Sequence, residues 1–475
     1  MRRIRSGLIE PFLHWLRESA WICAVPLLLL LGITATDFLI LTNVSDASRS
    51  LFFEELPVPY NDSRRDAAET LKADTLQYVY LLLLFLCAFR WRKIVGYLME
   101  WPHLVLIVAY LLVGVLYSMD PVKVVTNSIL IFIGFLAAIL FATAYSSPGR
   151  YDGFFHVVFW PLVLLHLASL FILNLYDVDL LSFLASTQRY GGLAGNPNSL
   201  GSTAVLGVWA GASILLSAHS SRAVRVLALL GLLLLFFNTA LSGSGTSTAA
   251  ILLVLFALAW LRILAAFQPK IRLILNGSLI LIAVFVFMYG MLFTTPAELY
   301  LSITGSMGKD ATLSGRTELW AIASDAINLK PWLGWGFDSH QSVMAERTFS
   351  VRFNHYHNGF LDTVVAGGVV LLALVGYNLV RFCQVFLRTF RKDANAFPLL
   401  LPLLILLALN MSEYSLLRPN SQLWLVYMIS FTMLTYSPAV SVSLQFSLGS
   451  KERKSRRFSG ARSGRRKRGE KLRWG

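Results

Sequence analysis

The 475-residue chain contains only three cysteines and little charge of either sign. Cys23, Cys87 and Cys383 all fall in or at the ends of long apolar runs, so neither a disulfide framework nor a thiolate zinc site is predicted on the external loops. The sequence also lacks a Walker or GxGxxG phosphate-binding loop and internal repeats. Nothing in it therefore indicates that a nucleotide supplies energy to this protein.

Hydrophobic residues, in contrast, make up 56% of the chain and charged residues only 14%, a composition typical of proteins that reside in lipid. A membrane-spanning helix needs about 20 apolar residues to cross roughly 30 Å of hydrocarbon. Twelve such spans are predicted, which makes the protein all-α and polytopic. They lie near residues 20–41, 75–90, 101–118, 122–145, 153–175, 198–217, 224–241, 247–265, 273–293, 357–381, 396–413 and 421–437.

The orientation follows from the basic residues, because Lys and Arg beside short loops stay in the cytoplasm. If the N-terminus is inside, the predicted inside segments collect most of the 41 Lys and Arg residues. Both termini are then cytoplasmic, and three large loops, 42–74, 176–197 and 294–355, are external. The first of these is acidic; it contains Asp46, Glu54, Glu55, Asp62, Asp66, Glu69 and Asp74.

Most of the formal net charge of +15 comes from the end of the chain. Residues 1–437 are predicted to form a single transmembrane domain, and residues 438–475 a disordered basic cytoplasmic tail. Such a tail gains about 1 kcal/mol per basic residue beside anionic lipid. Membrane lipids are therefore the predicted partner of the tail, and nucleic acid is not. The apolar run after the basic N-terminus is predicted to be an uncleaved first helix rather than a removable signal peptide.

The third external loop contains an amphipathic helix. Ser314 can cap a helix that starts after Gly315, with Glu318 in its first turn, where a carboxylate favours the helix dipole. Apolar residues then recur at helical spacing, namely Trp320, Ile322, Ala323, Ala326 and Ile327. Arg316 at the positive end of this helix predicts an anion site, since the Arg fork suits phosphate. The alternative is a helix lying on the outer leaflet with Arg316 extended toward water.

Three segments in this order resemble the superfamily of O-antigen ligases and O-antigen polymerases, bacterial envelope glycosyltransferases. They are "RYGGLAGNPNSLG" at 189–201, "SGRTELW" with "KPWLGWGF" at 314–337, and "HN" at 357–358, followed ten residues later by Gly368. The resemblance covers about residues 185–435. It implies a GT-C-like membrane fold and a glycosyltransferase that moves glycan from a polyprenyl-diphosphate carrier to a hydroxyl acceptor at the periplasmic face of the inner membrane. It implies no metal and no other cofactor. The implied partners are the lipid-linked donor, a glycan or lipid A core acceptor, a chain-length regulator and a flippase.

The resemblance also implies roles for individual residues. His357 matches the histidine of "HN" and is the predicted general base or acceptor-positioning group; the unperturbed pKa of histidine, near 6.5, suits proton transfer. Arg316 matches the arginine of the family's loop and is predicted to bind the diphosphate. The predicted substrate-binding residues are Arg189, Asn196, Asn198, Asn358 and Glu318. Plainer alternatives are a histidine that satisfies backbone groups at a helix start, and a "GNPN" segment that is only a turn and a helix cap.

Two positions depart from the family pattern. A basic residue usually follows the serine-rich turn after the seventh span, but Gly245 occupies that position, and Arg189 or Lys309 is the predicted replacement. After "HN", Gly368 is present but Leu371 stands where a small residue is common, which puts close helix packing there in doubt.

Two metal hypotheses remain open as alternatives. His355 and His357, with Asp338 and His340, are a plausible ligand set, but histidines two residues apart share a face only if the segment is extended, and a helix is predicted to begin there. The triplet Asp177–Asp179 resembles the DxD of metal-dependent glycosyltransferases.

Two rival functions also remain. A glycan transporter or flippase would need charges at mid-membrane, and Asp37 and Asp362 are the nearest candidates. A glycosyltransferase using polyprenyl-monophosphate sugars would take Asp46, Glu54 or Glu55 as its base. Within the favoured family, the sequence favours a polymerase over a ligase.

Overall fold

The structure is a computed structural model that describes residues 20–36, 62–145, 151–175, 189–265, 267–268, 316–337, 355–391, 394–419 and 421–436, with isolated positions between 271 and 278. In these ranges the protein is helical and contains no extended strand. The predicted basic tail lies outside them, so the predicted division at residue 437 stays a prediction.

The described ranges contain twelve α-helices, not all of which are membrane spans. They are α1 (Ala20–Ala35), α2 (Asp62–Glu100), α3 (Pro102–Val113), α4 (Pro121–Tyr145), α5 (Tyr151–Leu175), α6 (Pro197–Leu216), α7 (Arg222–Ser242), α8 (Gly245–Ala265), α9 (Arg316–Leu329), α10 (Gly359–Phe390), α11 (Leu401–Leu409) and α12 (Gln422–Thr435). Short 3₁₀ helices cover Gly114–Leu116, Gly192–Ala194 and Ala394–Leu400.

Six of the described helices are long and apolar enough to cross a membrane, namely α4, α5, α6, α7, α8 and α10. Helices α2 and α3 meet at a bend of 84° and make a seventh span if the pair counts as one. The protein is therefore a multi-pass membrane protein. The count of twelve spans and the orientation stay predictions, and the ninth predicted span lies almost wholly outside the described residues.

Helix α2 differs from its predicted extent. It begins at Asp62, inside the predicted external loop 42–74, and continues to Glu100, well beyond the predicted span at 75–90. Arg90 departs from helical geometry (φ −116°, ψ 15°), and its buried guanidinium donates from Nη1 to Thr143 Oγ1 at 2.7 Å. The short predicted span is thus the middle of a longer helix with a kink at a buried arginine.

Helix α6 lies at the centre of the bundle and is buried along most of its length. The small residues of α6 explain this burial. A Cβ atom on Gly207 would lie 2.7 Å from Leu235 of α7, and one on Gly211 would lie 2.5 Å from Phe159 of α5. Small residues let membrane helices approach closely, so α6 is held firmly between α5 and α7. This packing matters for the site because α6 carries Asn198 in its first turn.

Candidate active site

Helix α10 begins where Asn358 caps it. The Asn358 Oδ1 atom accepts hydrogen bonds from the backbone N–H groups of Phe360 at 3.0 Å and Leu361 at 3.2 Å, and the Asn358 backbone is extended. These two N–H groups would otherwise lack partners in the first turn of the helix. The capping alternative for Asn358 is therefore observed, whereas its role in substrate binding stays a prediction.

His357 lies immediately before this cap in an uncommon conformation, with φ at +51°. Its backbone N–H donates to Nδ1 of His355 at 3.1 Å, and the two imidazole centroids lie 4.0 Å apart. Both side chains are half-buried. His355 thus helps to hold the left-handed backbone conformation of His357, just before α10 begins.

Asn410, at the end of α11, joins the start of α10 to the loop that follows α11. Its backbone carbonyl accepts from the Gly359 N–H at 2.9 Å, and its Oδ1 atom accepts from the N–H groups of Ser415 and Leu416, both at 2.9 Å. A Cβ atom on Gly359 would lie only 1.9 Å from Asn410 Oδ1, so this contact requires glycine. The loop after α11 is consequently fixed against the predicted catalytic histidine.

That loop carries Glu413, which the sequence analysis did not select. Its Oε2 atom lies 3.9 Å from His357 Nδ1, and its Oε1 atom accepts a hydrogen bond from Asn198 Nδ2 at 2.9 Å. Both the glutamate and the histidine are partly shielded from solvent, with side-chain exposures of 21% and 29%. The carboxylate therefore bridges the "HN" segment and the "GNPN" segment.

Arg189 extends this arrangement. It donates from Nη2 to Asn198 Oδ1 at 2.6 Å and from Nε to the Ser242 carbonyl at 3.1 Å. Arg189, Asn198, Glu413 and His357 thus form a continuous series of contacts, called the polar chain below. It joins residues from three separate parts of the sequence, since Arg189 and Asn198 belong to the same segment.

Asn196 has a local role next to the polar chain. It caps α6, since its Oδ1 atom accepts from the Asn198 N–H at 2.8 Å. The turn before it is tight, because a Cβ atom on Gly191 would lie 2.9 Å from the Asn196 nitrogen. The turn-and-cap alternative is therefore observed for "GNPN", and within the same motif Asn198 also enters the polar chain.

The structure also bears on the basic residue missing at Gly245, the first residue of α8. Arg189 lies over the turn between α7 and α8, where a Cβ atom on Gly243 would lie 3.2 Å from Arg189 Cγ. Gly243 itself has φ at +56° and ends α7. Arg189, which precedes α6 in the chain, thus lies close to the position of the expected basic residue. This placement supports Arg189 as the replacement. Lys309, the other candidate, lies outside the described residues.

Helix α9 begins at Arg316, as predicted, and is amphipathic. Its buried residues Leu319, Ala323 and Ala326 pack against Tyr356 and Val365. The Trp320 Nε1 atom donates to the Tyr356 carbonyl at 3.0 Å. Because Trp320 lies about one helical turn after Arg316, the first turn of α9 is close to the residue before His357. The side chains of Arg316, Glu318 and the predicted cap Ser314 lie outside what is described.

The segment "KPWLGWGF" fastens the other end of α9 to α10. Trp335 N and Gly336 N donate to the carbonyls of Val365 and Ala366, and Val369 N donates to the Pro331 carbonyl, all at 2.8–2.9 Å. The helical geometry of α10 is interrupted at Gly368 (φ 65°, ψ −170°). The Val365 and Ala366 carbonyls and the Val369 N–H therefore bond to the loop instead of within the helix.

Gly368 is needed there for space as well as for its conformation. A Cβ atom on it would lie 2.1 Å from the Trp332 carbonyl oxygen. Close contact at Gly368 is thus present, but with this loop rather than through a small residue at position 371. Leu371 is itself fully buried in the core.

Two tyrosines from the α3 region hold the same loop and helix. The Tyr117 hydroxyl donates to the Leu333 carbonyl at 2.9 Å, and the Tyr110 hydroxyl donates to the Gly367 carbonyl at 2.6 Å. The α3 region is thereby joined both to the loop after α9 and to α10.

Several predicted candidates cannot be compared with this geometry, because they lie outside the described residues. These are Asp37, Asp46, Glu54, Glu55, Asp177, Asp179, Asp338 and His340. Asp362 is described and fully buried; its Oδ1 atom accepts from the Tyr356 N–H at 3.2 Å, which places it in support of the segment before His357.

Glu413 was missed because it follows an apolar run and resembles a loop residue. A usable signal was present: an acidic residue stands in the short polar segment "NMSEYS" at the predicted external end of the span at 396–413.

Comparison with known proteins places the site in a family context. The family profile described as O-antigen ligase matches residues 230–376, which include Arg316, His357 and Gly368. The predicted resemblance to the O-antigen ligase and polymerase superfamily is confirmed. The matched part is shorter than the predicted 185–435 and leaves out Arg189, Asn198 and Glu413.

One curated relative is the exopolysaccharide production protein ExoQ of Rhizobium meliloti (strain 1021). It is 31% identical over 152 residues, which are 29% of this chain and 33% of the relative. The aligned part thus spans only about a third of that protein's length, so its activity as a whole is not carried over by the similarity.

Proposed function

We propose that this protein is a glycosyltransferase that polymerises polyprenyl-diphosphate-linked oligosaccharide repeat units, of O-antigen or exopolysaccharide, at the periplasmic face of the bacterial inner membrane. The observation that carries the proposal is the polar chain. It joins the predicted catalytic His357 to the predicted substrate-binding Arg189 through Glu413 and Asn198. The family similarity and the name of the relative, an exopolysaccharide production protein, favour a polysaccharide substrate.

The polar chain and the residues that support it lie at helix ends that the sequence predicts to be external. The start of α6, the turn between α7 and α8, the start of α10 and the end of α11 all contribute to the polar chain or its supports. The basic-residue asymmetry assigns each of these ends to the external side. A site there is accessible to a periplasmic acceptor and to a lipid carrier in the outer leaflet.

The proposed reaction needs a base and an anion site. The acceptor hydroxyl attacks the anomeric carbon of the donor sugar, the bond from that carbon to the phosphate oxygen breaks, and polyprenyl diphosphate leaves with the bonding electrons. His357 takes the acceptor's proton. Glu413 orients the imidazole and stabilises its protonated form, because a carboxylate lies 3.9 Å from Nδ1. Arg316 and Arg189 supply positive charge for the leaving diphosphate.

The alternative activity is that of an O-antigen ligase, which transfers finished glycan to lipid A core. The family profile carries that description, and the same site chemistry serves both reactions because only the acceptor differs.

The glycans that accumulate in a deletion strain distinguish these activities. Single repeat units on the carrier or core are expected for the loss of a polymerase, whereas full-length polymer on the lipid carrier would identify a ligase. Glycans of unchanged amount and length would contradict both.

A further inference from the structure

We propose that His355, His357 and Glu413 form a binding site for a transition-metal ion such as Zn²⁺, and that metal bound there inhibits glycan transfer. Each residue offers one ligand atom, and the three ligand atoms all lie within 4.8 Å of one another. The inhibitory part rests on the proposed role of His357 as a base, whereas the binding part does not.

The local backbone removes the main objection to a metal at these histidines. Two histidines two residues apart cannot share a face within a helix. Here α10 starts only at Gly359, and His357 has φ at +51°, so both rings lie on the same side with centroids 4.0 Å apart. The segment before the helix therefore brings two imidazoles together as a helix would not.

Glu413 supplies a third ligand of a different kind. Its carboxylate oxygen lies 3.9 Å from His357 Nδ1, and it comes from the loop after α11, which Asn410 fixes against the start of α10. Two imidazoles and one carboxylate are a ligand set that Zn²⁺ accepts, with a fourth position left for water. Ligand atoms around tetrahedral zinc lie about 3.3 Å apart, as follows from Zn–N bonds of roughly 2.0 Å. Small side-chain rotations are thus enough to close the site.

The hydrogen bonds that hold Glu413 favour the same site. Glu413 is held through its other oxygen by Asn198 Nδ2 at 2.9 Å, and Asn198 is held in turn by Arg189. Outer contacts of this kind orient a metal-binding carboxylate. The three ligands are half-buried, which leaves the site open to an ion on one side.

Metal binding and base catalysis compete at His357. A neutral imidazole has only one free ring lone pair, so His357 that coordinates Zn²⁺ through one nitrogen carries its proton on the other and cannot accept the acceptor's proton. The same carboxylate that supports the base would then be used to hold the ion. Zinc is therefore expected to lower the transfer rate reversibly.

The binding test uses the full chain, purified without a polyhistidine tag in detergent or nanodiscs. Titration with Co²⁺, a spectroscopic substitute for Zn²⁺, is expected to give visible absorption that saturates at one equivalent. His355→Ala and Glu413→Gln are expected to weaken this binding by about tenfold or more, since even loss of an outer contact costs roughly that much. His219→Ala is the control, because His219 is exposed beyond the far end of α6. Absence of saturable absorption, or equal binding by His355→Ala, overturns the metal site.

The inhibition test compares each variant with its own metal-free rate. Zinc is expected to inhibit wild-type transfer and a chelator to restore it, while His355→Ala is expected to need about tenfold more zinc for the same inhibition. Equal zinc sensitivity of this variant, or loss of wild-type transfer on chelation, overturns the inhibitory role. Saturable Co²⁺ binding by a chain that transfers no glycan even when it is free of metal would support the metal site and contradict the proposed function, so the two failures are distinguishable.

Discussion

The carboxylate of Glu413 lies 3.9 Å from the imidazole Nδ1 atom of His357, although α10 and α11 separate the two residues in the chain. A carboxylate at this distance from one ring nitrogen favours the protonated imidazole and restricts the ring's rotation. The opposite nitrogen is then the one directed to a substrate. This arrangement gives the predicted base a partner that the sequence motif alone did not contain.

The first prediction concerns this partner. Glu413→Gln removes the negative charge but keeps the size of the side chain, and it is expected to lower kcat while leaving KM for the lipid-linked donor little changed. The acidic limb of the pH–rate profile should move to lower pH, because the protonated imidazole loses its stabilising charge. Asp325→Asn, an exposed acid on α9, is the control. Equal pH profiles for Glu413→Gln and wild type would contradict the pairing.

The second prediction concerns His357 itself. His357→Ala is expected to abolish transfer, since loss of a general base costs about 10²- to 10⁴-fold in rate. His355→Ala is expected to be milder, because this residue supports the backbone at His357 rather than the acceptor. Glycan chain lengths and membrane abundance of both variants are measured by gel and immunoblot. Wild-type chain lengths from His357→Ala would reject its assigned role.

Local chemistry explains which parts of this site could be predicted from the sequence. Asn196 and Asn358 both stand directly before apolar helices, and each caps its helix in the structure, because an Asn side chain satisfies first-turn N–H groups wherever it occurs. The start of α9 at Arg316 followed from the same local reasoning.

Contacts between distant segments could not be predicted in this way. Glu413 reaches His357 and Asn198 because the Asn410 carbonyl, at the end of α11, accepts a hydrogen bond from the Gly359 N–H at the start of α10, a contact that no local pattern encodes. The opening of α10 at Gly368 was missed as well, since its cause is the loop carbonyl of Trp332, far away in sequence. The extent of α2 was underestimated because its polar first turns resemble a loop.

The third prediction tests whether the polar chain acts as a unit. Asn198→Ala removes the contacts to both Arg189 and Glu413 and is expected to lower transfer. Combined with Glu413→Gln, the two losses should be less than additive, because residues in one hydrogen-bond network couple by about 0.5–3 kcal/mol. Ser199→Ala, at the exposed neighbouring position, is the control. Strict additivity in the double variant would show that the two residues act separately.

The fourth prediction concerns the anion site at the start of α9. Arg316→Ala is expected to abolish transfer while the protein still inserts into the membrane, because the leaving diphosphate loses its charged partner. Arg316→Lys should restore transfer only in part, since lysine lacks the planar fork. Arg222→Ala is the matched control, because Arg222 also begins a helix but lies at the other end of α6 and α7. Wild-type polymer from Arg316→Ala would exclude this residue from the site.

The last prediction concerns the opening of α10 at Gly368, which lets the loop after α9 pack into the helix. Gly368→Ala places a Cβ atom 2.1 Å from the Trp332 carbonyl oxygen and forces alanine into a conformation with φ 65° and ψ −170°, which is essentially restricted to glycine and costs about 1–3 kcal/mol even without the clash. The loop must then move, and since it fixes α9 against the segment before His357, both thermal stability and transfer should fall. Gly376→Ala on the same helix is the matched control, because a Cβ atom there meets nothing within 4 Å. Melting temperature in detergent and polymer length are the measurements. Equal behaviour of the two variants would mean that contact between loop and helix is not needed to hold the site.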